Sequence, residues 1–354
     1  MGIFNPFTTG DGPEAILVPI AFGIIFLIGI IGNGTLIFTV LFNKVMRNVP
    51  NVFIVSLSIG DLLLILVSVP FSATIFTFKG WPYGDFTCRL NYFLETLSLG
   101  VSVFTLTALS IDRYMVIVNP MSKHTSKTMA KTVVIAVFIW CLAAILAIPD
   151  AVVSHVEDIP LMNISKTLPI CFNYPTDVPD YEKYNVCIKF MIYFAIPLVV
   201  IAVFYILMAR VLIKSGEMMP CEGRGANNHQ RQIAARKKVA KVVMSFVLIF
   251  AVCWLPRYIY LMWYYFDDSQ FNHFWIAFKI IGFCLTFINS CVNPFALYFL
   301  SGQFRKYYNR YLFRCIPKVR YTSLEPSSTM HNFNSTVRRA SSTTTTIVQS
   351  QSMC

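Results

Sequence analysis

Polar side chains inside long apolar stretches are the residues of this sequence best suited to chemistry. Asp61 is the one charge between Asn48 and Phe78, and charges in such stretches are costly to bury and usually functional. At about 1.5 Å per helical residue, four other polar residues reach a similar depth. The set is Asp61, Ser102, Asn289, Ser290 and Asn293. One carboxylate among neutral oxygens suits sodium, and a hydrogen-bonded water network without a fixed ion is the alternative.

Glu95 forms a second candidate site, because it precedes Arg113 by 18 residues, or about 27 Å of helix, in the same stretch. A partly buried carboxylate needs a positive or hydrogen-bonded partner, and Arg257 is the candidate. One interpretation is a standing Glu95–Arg257 bridge that braces an empty pocket. The other is that a basic group of a ligand takes over Glu95 and frees Arg257. The aromatic residues expected to hold apolar parts of the ligand are Tyr258, Trp263, Tyr264 and Phe283.

The elements that position these groups follow from composition. Charged residues make up 13% of the 354 residues, against roughly 25% in soluble domains. Seven stretches approach the length of about 20 apolar residues that a membrane helix needs. The third is long enough only if Glu95 and Asp112 lie near the ends of its helix. The predicted fold is an all-α membrane protein, a seven-transmembrane helix bundle.

The distribution of basic residues orients the bundle. If the N-terminus lies outside, the cytoplasmic segments hold 22 of the 29 Lys and Arg residues, as the positive-inside rule requires. The net charge of +12 is then a property of the inner face, where anionic membrane lipids are the expected partners. Nucleic-acid binding has no support, because it needs a soluble basic face.

Segment composition predicts four regions. Residues 1–14 form an outer N-tail, 15–301 the bundle, 302–315 a short amphipathic eighth helix, and 316–354 a disordered cytoplasmic tail rich in Ser and Thr. The run from Ser215 to Gln232 reads as a flexible loop.

Cys315 follows the amphipathic helix and is a palmitoylation candidate, with an unmodified thiol as the alternative. Asn163 is the glycosylation sequon expected outside.

Three motifs could support movement of the helices. Asp112 beside Arg113 and Tyr114 gives an ion pair at the cytosolic end of the third span, which could hold Arg113 until another partner takes it. Pro256 kinks the sixth span two residues after Trp254, so the kink is either a pivot or static. Pro294, after Asn293, is expected to kink the seventh span in the same way.

These motifs together resemble the rhodopsin-like (class A) G-protein-coupled receptors. The resemblance rests on Gly32-Asn33, Leu57 to Leu62, Cys88, Asp112-Arg113-Tyr114, Trp140, Pro197, Tyr205, Cys253 to Pro256 and Asn293-Pro294. Met46 to Asn51, Trp81 to Gly84 and Asn289 to Pro294 are similar to the bombesin-receptor group. Ile196 to Tyr205 and Asn309 to Phe313 look closest to its invertebrate CCHamide neuropeptide receptors.

The resemblance implies a peptide agonist, a heterotrimeric G protein of the Gq class, and calcium signalling. It also implies a Cys88–Cys171 disulfide, although Cys187 could compete from the same side. Pro120 and Met121 are expected to dock the G protein. The residues expected to take part in activation are Asp112, Arg113, Tyr114, Tyr205, Phe250, Trp254, Pro256, Asn293, Pro294 and Tyr298. Tyr298 stands one place later than in most of the class, as in the bombesin group.

The tail is expected to end signalling. Ser341 follows Arg338-Arg339-Ala340 in a basophilic kinase motif, and phosphates there would attract arrestin after a receptor kinase has acted. The alternative is an inert spacer. No catalytic residue and no cofactor are predicted, apart from the allosteric sodium ion.

Other membrane proteins fit the sequence less well. A transporter or channel is the main alternative, but aromatic residues such as Phe250 and Trp254 cap the polar layer around Asp61. An intramembrane enzyme would need paired catalytic acids or a metal-binding His cluster. A retinal pigment would need a Lys midway along the seventh span, and Lys279 lies at the mouth of that span.

Overall fold

Within the part of the chain that the structure describes, seven helical segments are long and apolar enough to cross a membrane. The computed structural model describes residues 14–78, 80–118, 126–160, 167–217, 224–267 and 272–312, which belong to one compact unit that ends at Arg314. In lipid every backbone polar group must be paired internally, and an α-helix does this within one segment. The predicted fold class is confirmed.

The first four spans are single helices. They are α1 (Glu14–Phe42), α2 (Val49–Phe78), α3 (Gly84–Val118) and α4 (Ser126–Val153). A 3₁₀ turn (Lys44–Met46) precedes α2. The length of α3 is 35 residues, because both Glu95 and Asp112 lie within the helix rather than ending it.

The second half of the bundle is less regular. The fifth span is assembled from α5 (Tyr181–Phe190), a π-helical turn (Met191–Ala195) and α6 (Ile196–Glu217). The sixth and seventh spans are α7 (Arg224–Phe266) and α8 (His273–Leu300), and the amphipathic helix is α9 (Gly302–Leu312). The predicted loop from Ser215 to Gln232 is wrong at both ends, since α6 continues to Glu217 and α7 begins at Arg224, while residues 218–223 lie outside the described part of the chain. Pro220 and Gly223, which break helices, both precede that start.

A β-hairpin, which hydropathy alone did not predict, covers one end of the bundle. It pairs β1 (His155–Pro160) with β2 (Thr167–Phe172) in antiparallel register. Cys171 of β2 is joined to Cys88 of α3, and their Cα atoms are 5.7 Å apart. The amide of Trp81 donates to the carbonyl of Pro169 at 2.7 Å. The hairpin is therefore fastened to α3 and to the α2–α3 connection, while Cys187 is free.

Small and polar residues hold the helices together. A Cβ atom at Gly100 would lie 3.0 Å from the Cβ of Ala143 and 3.3 Å from the ring of Tyr193, so α3 approaches two spans closely because this side chain is absent. The amide of Asn33 donates to the carbonyl of Ser290 at 2.8 Å, which links α1 to α8. Trp140 donates to Ser56 at 2.9 Å, which links α4 to α2.

The amphipathic helix α9 packs on the opposite end of the bundle from the hairpin. Phe304 and Tyr308 are buried against the core, whereas Arg305 and Lys306 are exposed. The hydroxyl of Tyr311 is 3.1 Å from the side-chain nitrogen of Asn43 at the end of α1. This alternation suits a helix that lies along a membrane surface.

Replacing Cys171 with Ser should lower surface expression and thermal stability, because a native disulfide contributes about 2–5 kcal/mol in small domains. Flow cytometry on tagged cells and thermal unfolding of purified protein measure the two effects. Cys187→Ser is the matched control, since that thiol is free, and it should behave like the wild type. Peptide mapping of unreduced protein that finds Cys88 joined to Cys187 would contradict the assignment.

Candidate functional site

A cavity of about 160 Å³ lies inside the bundle at the hairpin end. Residues of α3, α5, α7 and α8 line it, together with Asn173 and Tyr174 after β2. Its charged lining residues are Glu95, Glu182, Lys189 and Arg257. A smaller cavity of about 60 Å³ lies beside the hairpin and shares Glu95 and Arg257 with the first. The structure therefore brings together the two charged residues that the sequence singled out.

Glu95 is held by its own helix. Its carboxylate accepts a hydrogen bond from the side-chain amide of Asn91, one turn earlier on α3, at 3.0 Å. Within the described part of the chain, no ion pair joins Glu95 to Arg257, so the predicted bracing bridge is not formed. A partly buried carboxylate whose one hydrogen-bond donor among the described residues is a neutral amide is incompletely compensated. Glu95 is therefore suited to receive a donor or a cation from a ligand.

Arg257 is placed by backbone contacts between α7 and α8. A Cβ atom at Gly282 would lie 3.1 Å from the backbone nitrogen of Arg257, so the absent side chain lets α8 approach just after Pro256. The guanidinium carbon of Arg257 lies 5.3 Å from the ring centroid of Phe283, which is a cation–π distance. This contact leaves the N–H groups of Arg257 available to the cavity.

Aromatic rings line the cavity and continue beneath it. Trp254 and Tyr258 are lining residues, and their ring centroids are 6.2 Å apart. Phe250, one turn deeper on α7, lies 6.1 Å from Trp254 and is buried. Tyr174 lines the cavity from the hairpin side, where burial raises its pKa to about 12. Its hydroxyl therefore stays a neutral donor at physiological pH.

Trp263 and Tyr264 do not line either cavity, contrary to the expected aromatic wall. Trp263 stacks on Trp275 of α8 with ring centroids 3.8 Å apart and planes 8° from parallel. The exposed fraction of Tyr264 is 42%. Arg257 and Tyr258 both line the cavity, and Trp263 lies about a turn and a half further along α7. The sequence could not fix which way this last stretch of α7 faces.

Sequence reasoning missed a buried acid on α4. The carboxylate of Asp150 accepts hydrogen bonds from the hydroxyl of Thr96 at 2.5 Å and from the ammonium of Lys189 at 2.6 Å. Both oxygens are used, and three spans meet there. In the sequence Asp150 simply follows a charge-free stretch that ends at Pro149, and nothing there pairs it with Lys189.

The polar layer forms around Asp61 near the centre of the bundle. Asn293 donates to one carboxylate oxygen of Asp61 at 2.9 Å, and the other oxygen has no hydrogen-bond partner among the described residues. The remaining members of the predicted layer, Ser102, Asn289 and Ser290, are buried as well. A carboxylate with one open oxygen beside buried neutral oxygens fits a monovalent cation or water.

The end that carries α9 presents the residues with expected roles in activation. Arg113 forms an ion pair with Asp112, in which its Nε atom is 3.0 Å from Oδ2. The hydroxyl of Tyr205 donates to the carbonyl of Ala240 at 2.9 Å, linking the fifth and sixth spans. The hydroxyl of Tyr298 donates to Asn309 of α9 at 3.2 Å. Tyr298 thus fastens α9 to the seventh span.

The profile of the family described as "7 transmembrane receptor (rhodopsin family)" matches residues 32–298. The chain belongs to this family. It is 45% identical over 313 residues to the Neuropeptide CCHamide-1 receptor of Drosophila melanogaster, covering 86% of this chain and 62% of that protein. It is 38% identical over 320 residues to Bombesin receptor subtype-3 of Ovis aries, covering 88% of this chain and 79% of that protein.

These comparisons confirm the predicted family and the predicted bombesin and CCHamide likeness. A rhodopsin-family receptor is not an enzyme, and the match does not favour the transporter alternative. Seven apolar helices in this family make the chain a multi-pass plasma-membrane protein. Several predicted sites lie outside the described residues, namely Pro120, Met121, Asn163, Cys315 and Ser341.

Trp263→Ala should destabilise this receptor by about 1 kcal/mol or more, because the stacked pair with Trp275 joins the ends of α7 and α8. Ligand affinity should change little, since Trp263 lines neither cavity. Thermal unfolding and ligand binding on the same preparation separate the two effects, with Tyr264→Ala as the control. A large loss of affinity at unchanged stability would restore Trp263 to the pocket wall.

Proposed function

We propose that the chain is a cell-surface receptor for a neuropeptide and that it activates heterotrimeric G proteins of the Gq class, which raises cytosolic calcium. The observation that carries the proposal is the cavity at the hairpin end, where Glu95 and Arg257 lie together without an ion pair between them. The relatives support the ligand class, because one is called a neuropeptide CCHamide-1 receptor and the other a bombesin receptor.

In this account the hairpin end faces outward, with the N-terminus on the same side. A basic or imidazole group of the peptide binds Glu95, and Arg257 donates to a peptide carbonyl or a C-terminal amide. Tyr258 and Phe283 contact apolar side chains of the peptide. Calcium imaging of cells that express the chain, with CCHamide-1 and other amidated neuropeptides as probes, tests the function. A complete lack of peptide-dependent calcium or G-protein activation would overturn it.

Glu95→Gln should lower agonist potency about tenfold or more, because a hydrogen bond to a charged group contributes about 1.5–3 kcal/mol. Expression should change little, since Gln keeps the acceptor that Asn91 contacts. Dose–response curves for calcium, corrected for surface level, measure the effect. Glu157→Gln, on the exposed face of β1, is the control. Unchanged potency together with lower thermal stability would favour a structural role for Glu95.

Signalling is proposed to be a population shift between two arrangements of the bundle. Peptide bound above Trp254 moves the aromatic column of Tyr258, Trp254 and Phe250, and α7 swings about Pro256. Arg113 then leaves Asp112 and lines an opening at the α9 end with Tyr205. Pro120 and Met121 contact the G protein there, with Met121 as the apolar contact.

Arg113→Ala should abolish G-protein activation while the protein still reaches the surface. The reason is that Arg113 changes partners during activation, whereas among the described residues its one hydrogen-bond and ion-pair partner is the adjacent Asp112. Peptide-stimulated nucleotide exchange on membranes measures the effect, and Arg89→Ala at the hairpin end serves as the control. Full calcium responses from the Arg113 variant would refute this mechanism.

The polar layer around Asp61 is proposed to bind sodium in the resting arrangement. Sodium then lowers agonist affinity, because a ligand that favours one state disfavours the other by linkage. Asp61→Asn keeps the shape and removes the charge, so agonist affinity should lose its sodium dependence. Binding is compared in sodium and N-methylglucamine salts of equal ionic strength. Equal sodium sensitivity in wild type and variant would favour the hydrogen-bonded water network.

The tail completes the proposal. A receptor kinase phosphorylates Ser341 and its neighbours, and arrestin binds the phosphates. Palmitate on Cys315 and anionic lipids hold α9 to the inner membrane surface, while Asn163 carries the outer glycan. These assignments are supported by the sequence motifs and by the exposed basic side of α9, where Arg305 and Lys306 lie.

A further inference from the structure

A buried ion pair on the cavity wall has no role in the function proposed so far. Lys189 lines the cavity, and its ammonium is 2.6 Å from Asp150, whose side chain is 3% exposed. Thr96 donates to the other oxygen of Asp150. The carboxylate therefore has a partner on each oxygen, one from α3 and one from α5.

The ammonium of Lys189, in contrast, is only partly used. It carries three N–H donors, and Asp150 is its one hydrogen-bond or ion-pair partner in the described part of the chain. The side chain is 22% exposed, so the ammonium group is not sealed behind its partner. Lys189 can therefore donate to a molecule in the cavity while it stays paired with Asp150.

The charges around the cavity indicate what kind of acceptor Lys189 would meet. Asp150 already cancels the charge of the ammonium, and the two carboxylates of Glu95 and Glu182 outnumber the one guanidinium of Arg257 in the same cavity. A ligand carboxylate would add another negative charge to this group. An uncharged oxygen, such as a backbone carbonyl, accepts the same hydrogen bond without that cost.

Lys189 is also hydrogen-bonded to the sixth span, so a ligand that contacts Lys189 can affect that span. Its backbone carbonyl accepts from the hydroxyl of Tyr258 at 3.4 Å, and the π-helical turn begins two residues later at Met191. Tyr258 belongs to the aromatic column above Phe250. π-helical turns inside α-helices are frequent at functional sites.

We propose that Lys189 is a ligand-contacting residue, held in position by Asp150 and Thr96, which donates a hydrogen bond to an uncharged oxygen of the peptide. The proposal rests on the peptide-receptor function and adds to it a contact on the fifth span. Asp150 is a positioning residue, since it acts on the ligand through Lys189, and the hydroxyl of Thr96, which also lines the cavity, is directed at Asp150.

The test separates a ligand contact from a brace between helices. Labelled CCHamide-1 is the probe, and the full-length receptor is measured for peptide affinity and for melting temperature without peptide. Lys189→Met removes the donors and leaves Asp150 without its ion pair, so both quantities should fall, affinity by about tenfold or more. Lys183→Met, on the exposed side of the same helix, should change neither by a comparable amount.

The decisive variant is Lys189→Met combined with Asp150→Asn. It leaves no unpaired buried charge, so the melting temperature should return toward the wild-type value. Peptide affinity should stay low, because the donors are still missing. Recovery of affinity together with stability would overturn the proposal and show that the Asp150–Lys189 pair only stabilises the packing of the helices.

A second variant keeps the proposal testable if the double variant stays unstable. Thr96→Val loosens the support of Asp150 but keeps Lys189, so it should lower the melting temperature with less than a threefold or so loss of affinity. Equal affinity losses in Thr96→Val and Lys189→Met at equal stability would overturn the contact. No specific binding of CCHamide-1 or of any other amidated neuropeptide by the wild type would instead overturn the peptide-receptor function itself.

Discussion

Carboxylates buried in a membrane-spanning bundle must find their partners on neighbouring helices, because bulk water does not hydrate them there. Two buried acids, Asp61 and Asp150, and the partly buried Glu95 satisfy this constraint to different degrees. Asp150 has a partner on each oxygen, Asp61 has one on a single oxygen, and Glu95 has one neutral donor from its own helix. Asp61 and Glu95, which are incompletely satisfied, are therefore the acids that can bind an external cation or a ligand.

The two ends of the bundle are connected through α7. Glu95 and Arg257 lie at the hairpin end, and Arg113 lies at the other. Between them the aromatic column on α7 and the kink at Pro256 provide one continuous element that ligand and G protein could both bias. The hydrogen bond from Tyr205 to Ala240 joins the fifth and sixth spans at the far end. Movement of α7 must therefore change this contact.

Much of the fold could be predicted from the sequence, because apolar length and helical rise are local properties. Depth arithmetic placed Asp61 beside Asn293, and the 18-residue spacing placed Glu95 at the hairpin end. The direction in which a side chain points around the helix axis could not be predicted in the same way. Trp263 was expected in the pocket, but it stacks on Trp275 instead. The Asp150–Lys189 pair and the hairpin depend on contacts between distant segments, which hydropathy does not encode. The start of α7 at Arg224 comes directly after Pro220 and Gly223, which are residue types that break helices.

The central claim is that Glu95 and Arg257 are kept for the ligand rather than for each other. A double-mutant cycle with Glu95→Gln and Arg257→Gln tests it most directly, read out both as stability of the ligand-free receptor and as affinity for CCHamide-1. The account predicts additive stability effects, within about 0.5 kcal/mol, and a clear loss of peptide affinity in each single variant. A coupling of about 1 kcal/mol or more in stability, with peptide affinity unchanged, would contradict it.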